Sequence, residues 1–81
     1  MNGTFQNIIN SPVTVTAVGF DRRMQAYPKR MEWQGNTYYF TDSGVRVRRG
    51  ERGGCTLTMA SGGKNFCLRE LAGAWTLVSI S

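Results

Sequence analysis

At 81 residues the chain has room for one domain, and a domain of that size buries only roughly 60–65% of the surface its unfolded form exposes, so its core must be compact. An apolar fraction of 41% against 19% charged residues excludes a disordered chain, and the lack of any histidine removes the commonest general acid or base and a usual metal ligand. The net charge of +5 directs attention to anionic partners.

The first stretch, Met1 to Ser11, is polar apart from Phe5, Ile8 and Ile9. It suits a flexible arm over residues 1–11, or a short edge strand or turn pinned by those three groups. It lacks the basic region and continuous apolar segment of a secretory leader, and no apolar run approaches the roughly 20 residues that cross a bilayer. The expectation is therefore a cytoplasmic protein with no membrane partner. Pro12 opens a run from Val13 to Phe20 that alternates Val and Thr, as a strand does, with Val13, Val15 and Ala17 on one face. Asp21 can cap a single helical turn through Arg22, Arg23, Met24 and Gln25 by accepting their free amides, or the same residues can form a loop. Pro28 ends any helix there and introduces the next strand.

From Lys29 to Arg49 the chain reads as three short strands joined by two tight turns. Gly35-Asn36 tolerates the positive φ that two-residue hairpins require. Closed there, the hairpin sets Trp33 opposite Tyr38 and Met31 opposite Phe40, all on one face. A second turn at Asp42-Ser43-Gly44 brings Val45 against Phe40 and Val47 against Tyr38, extending that face onto a third strand. The other face then carries Arg30, Glu32, Thr37, Tyr39, Thr41, Arg46 and Arg48, with Tyr39 between Glu32 and Arg46. A glycine-rich basic loop follows, from Arg49 through Arg52 to Gly54.

Cys55 to Ala60 and Lys64 to Leu71 form a hairpin about Gly62-Gly63 that pairs Met59 with Phe66 and Leu57 with Leu68. This register puts Cys55 inside and Cys67 outside, so the two do not bond, which suits a reducing compartment. Residues 65–72 also fit a short helix stopped by Gly73. Trp75 to Ile80 is a final strand that can close the sheet against the first. Ten glycines and six to seven short strands predict an all-β domain spanning residues 1–81, a strongly bent antiparallel sheet or small barrel of SH3-like size.

The chemistry is sparse. Gly62-Gly63-Lys64-Asn65 fails as a phosphate loop, because the earlier glycine is missing and Asn65 stands where a metal-binding hydroxyl is needed. Cys55 has no histidine base, and the five carboxylates form no spaced pair. The expectation is a protein without catalytic residues, metal ligands or cofactor. Trp33, Gly35 and Tyr38, with Pro28 and Arg30 before them and Gly44, Arg46 and Arg48 after, resemble a pattern in small uncharacterised bacterial all-β domains. That resemblance covers about a quarter of the chain and implies a fold without assigning a site.

Charge carries the functional expectation. Between Arg22 and Arg52 eight basic residues face three acids, which accounts for the whole surplus. Arginine grips phosphate with two hydrogen bonds and tyrosine stacks on a base. The three-strand unit therefore predicts a nucleic-acid face, for single-stranded DNA or RNA, built from Arg30, Tyr39, Arg46, Arg48, Arg49 and Arg52. The ordinary counterpart is a solvated outer surface, and the main rival is a protein partner or a second copy, met at an exposed strand edge or at aromatic anchors such as Tyr27, Tyr39 and Trp75.

Overall fold

The computed structural model describes residues 7–49 and 54–81. Eight antiparallel strands run in chain order: β1 (Asn7–Pro12), β2 (Thr14–Phe20), β3 (Ala26–Trp33), β4 (Asn36–Tyr39), β5 (Val45–Arg49), β6 (Gly54–Ser61), β7 (Lys64–Leu71) and β8 (Ala74–Ile80). They make two sheets, β1-β8-β7-β6-β5 and β2-β3-β4. The all-β expectation holds, but the strands do not close into a barrel. There is no helix among the described residues, neither at Arg22–Gln25 nor over 65–72.

Both sheets contribute to one core. Met31 and Phe40 come from the smaller sheet and its exit, while Leu57, Met59, Phe66, Leu68 and Leu77 come from the larger. The Phe66 ring joins them, 5.0 Å from Tyr38 and 5.5 Å from Phe40 between centroids. Leu57, Leu68 and Leu77 are fully buried, each contributing about 1.5–3 kcal/mol relative to exposure. The β6–β7 hairpin has the expected register, Leu57 to Leu68 and Met59 to Phe66, and Cys55 is buried while Cys67 is half-buried, both as free thiols. Residues 7–12 take the edge-strand alternative, paired with β8, while residues 1–6 of the expected arm lie outside the described residues; it is β1 rather than Val13–Phe20 that meets the last strand.

The β3–β4 hairpin closes one step earlier than expected. Gln34 and Gly35 are its turn residues, at φ 51° and 77°, and Met31 pairs with Tyr38 and Trp33 with Asn36. An X-Gly pair suits a type I′ turn better than Gly-Asn, since both central residues take positive φ and glycine is favoured second. The register moves by two, so Met31, Trp33 and Tyr38 still share the inner face.

The larger correction concerns β5. It does not fold back on β4; the chain crosses at Phe40–Gly44 into the other sheet, where Val45 pairs with Thr58 and Arg46 with Leu57. Asp42 Oδ1 accepts the Gly44 amide at 2.9 Å, and Gly44 takes φ 61° so close to Thr58 that a Cβ would collide with its carbonyl oxygen. Val45 and Val47, expected in the core, are exposed.

Candidate functional site

The expected basic face is divided between the two sheets. Arg46 turns inward. Its Nη2 donates to the Ala26 carbonyl oxygen at 2.7 Å and Nη1 to Cys55 Sγ at 3.3 Å, and Nη2 lies 3.8 Å from Asp21 Oδ2. A guanidinium so held is a tie between the sheets and does not reach a ligand on the outer face. Tyr39 accordingly lies opposite Arg30 and not beside Arg46. The side chains of Arg48 and Arg49, and the whole of Arg52, lie outside the described residues.

What remains is the outer face of β2-β3-β4. Along β2 the burial alternates, with Thr14, Thr16, Val18 and Phe20 outward. On β3 and β4, Arg30, Glu32, Thr37 and Tyr39 alternate with the inward Met31 and Tyr38. Thr16 fixes Arg30, its Oγ1 accepting from Nε at 2.8 Å and its carbonyl oxygen from Nη2 at 3.3 Å. Nη1 has no partner among the described residues, so the guanidinium is oriented while one nitrogen stays available. Phe20 and Tyr39 are 61% and 63% exposed, an unusual state for two aromatic rings on one small sheet. Through their β3 partners, Ala26 and Arg30, they stand about 13 Å apart along the strand direction.

Sequence reasoning missed Phe20. Its signal was available in the same alternation that placed Val13, Val15 and Ala17 together, because residue 20 is out of step with them. Tyr27, an expected anchor, is instead buried. Its hydroxyl donates to the Thr41 carbonyl oxygen at 3.3 Å, and its ring covers Gly19, where a Cβ would stand 2.7 Å from it.

Beside Phe20 the β2–β3 loop and the β4–β5 crossover border an open cleft of about 480 Å³, lined by Phe20, Asp21, Arg22, Arg23, Tyr27 and residues 41–43. Asp21 organises the loop. Its Oδ1 accepts the amides of Arg23 and Gln25, each at 2.9 Å, which is the capping role expected of it without the helical turn. The Gln25 amide first, then the Arg23 amide and the Arg46 charge, hold the Asp21 carboxyl below its ordinary value.

No protein-family model, curated protein or solved structure matches the chain. The candidate site is defined by its own residues, two exposed aromatic rings and a fixed arginine on one outer face of a two-sheet all-β domain.

Proposed function

We propose that this protein is a non-enzymatic binding module that takes single-stranded nucleic acid on the outer face of β2-β3-β4. The observation that supports it is the exposure of Phe20 and Tyr39 on one outer face, with Arg30, whose orientation Thr16 sets, directly opposite Tyr39 and four residues along β3 from the partner of Phe20. Aromatic rings stack on bases of any sequence at about 1–3 kcal/mol each, and an arginine on the same face meets the backbone. Stacking on a ring does not depend on base identity, so the binding is tolerant of sequence.

The test is a titration of the protein with octathymidylate, its RNA counterpart and a duplex, followed by amide-resolved NMR and by anisotropy over a range of salt. Shifts centred on Phe20, Arg30 and Tyr39, with Tyr39→Ala and Phe20→Ala each weakening binding about tenfold, are expected. Arg30→Gln lowers the salt slope by about 0.7 for a single strand. Absence of shifts on this face near physiological salt would reject the reading.

A protein partner is the second reading, and Val45 and Val47 favour it. They are exposed on β5, a sheet edge whose pairing to β6 has no irregularity, and such an edge accepts an added strand. Under this reading β5 amides, and not the β2-β3-β4 face, gain exchange protection when the partner binds.

A further inference from the structure

The cleft between the β2–β3 loop and the β4–β5 crossover is distinct from the sheet face but continuous with it through Phe20, which belongs to both. Its charges are unequally committed. Asp21 is occupied by two loop amides and by Arg46, the one ion pair among the described residues. Asp42 gives Oδ1 to the Gly44 amide. Arg22 and Arg23 are exposed, and neither guanidinium makes an ion pair or hydrogen bond among the described residues. The cleft thus joins two uncommitted guanidiniums and an apolar ring to two carboxylates that already have partners of their own.

We infer that this cleft binds a nucleotide's terminal phosphate monoester, with the attached base against Phe20, whether the nucleotide is free or ends a strand. Charge selects the monoester over an internal diester. A terminal phosphate carries close to two negative charges and three accepting oxygens at neutral pH, where an internal phosphate carries one, and two arginines answer the larger charge with charge-assisted hydrogen bonds. Asp42 opposes the anion and sets a limit on the affinity, as does Asp21 to the extent that Arg46 leaves its charge unbalanced. The inference deepens the nucleic-acid reading by assigning it a strand end, yet the cleft chemistry is separable from the sheet face.

The experiment compares octathymidylate with a 5′-phosphate, with a 3′-phosphate and with neither, alongside thymidine monophosphate and thymidine, by anisotropy or competition with amide-resolved NMR. One phosphorylated end is expected to bind about tenfold more tightly than the unphosphorylated strand, with shifts over Asp21–Gln25 and Thr41–Gly44. The double variant Arg22→Gln with Arg23→Gln should erase that preference and leave the unphosphorylated strand's affinity within about twofold, and Asp42→Asn should strengthen it. Unchanged amide spectra elsewhere verify that the variants are folded. Equal affinity for all strands, with the sheet face responding, would overturn the cleft and leave the sheet-face reading intact. Cleft shifts with thymidine monophosphate but not thymidine, and no strand on the face, would support the cleft while rejecting the sheet-face reading. No response to any phosphorylated ligand removes both.

Discussion

The guanidinium of Arg46 lies 2.7 Å from the carbonyl oxygen of Ala26, joining an edge strand of the larger sheet to the start of β3 in the smaller one. Its Nε is buried without a hydrogen-bond partner, so the group is held by its two terminal nitrogens. Arg46→Ala should lower stability by about 2 kcal/mol, the loss of a charge-assisted hydrogen bond and of an accepting carbonyl's partner, read as a shift in the urea midpoint. Arg46→Lys should recover little, because one ammonium cannot replace the fork that reaches both Ala26 and Cys55. Affinity for single strands should be unchanged in the residual folded protein.

Gly44 sits where the chain passes between sheets, with positive φ and no room for a side chain against Thr58. Gly44→Ala is expected to cost at least about 2 kcal/mol, since left-handed strain and a backbone collision act together. Gly62→Ala is the control: φ is 58°, nothing lies near its Cβ position, and the expected cost is about 1 kcal/mol. Thermal unfolding of the two variants measures the difference.

Gln34 holds φ 51° in the β3–β4 turn, a conformation that asparagine adopts more readily than glutamine. Gln34→Asn should stabilise the protein by about 0.5 kcal/mol, because Asn-Gly is the preferred type I′ pair. A higher denaturation midpoint at unchanged slope is the expected result.

The Asp21 carboxyl is held below its ordinary value of 3.8, chiefly by the Gln25 amide. A lowered folded value means that the contribution of this group is fully present above the unfolded value and is lost as pH falls through the folded one. Wild-type stability should therefore drop on acidification below about pH 4, and Asp21→Asn should reduce that drop while lowering stability near neutrality. Urea midpoints from neutral pH to about pH 2 test both.

Much of the larger sheet could be read from residues because its contacts are local. The Gly62-Gly63 turn fixes the register of β6 and β7, and burial of Leu57, Met59, Phe66 and Leu68 follows from it. The partner of β5 could not be read this way. Val-Arg-Val-Arg alternates equally well with valine or arginine inward, and the default that valine is buried fails here because Arg46 finds Ala26 O, Cys55 and Asp21 from three other segments. That long-range satisfaction of one guanidinium has no local signature. Two of the three sheet-face residues were legible because their relation is local: Arg30 and Tyr39 sit on neighbouring strands of one hairpin, whereas Phe20 reaches them through β2, and Arg46 is drawn away by the crossover.

The pairing of β1 with β8, which brings Asn7 beside Ile80, has a consequence for the order of assembly. The β6–β7 and β7–β8 ladders close over two-residue turns, so they can form early at small entropic cost. β1 can add its hydrogen bonds only after a loop of nearly the whole chain has closed, a step whose cost falls as the intervening hairpins shorten it. Folding of such a sheet is expected in the millisecond-to-second range, with β1 the strand expected to arrive last.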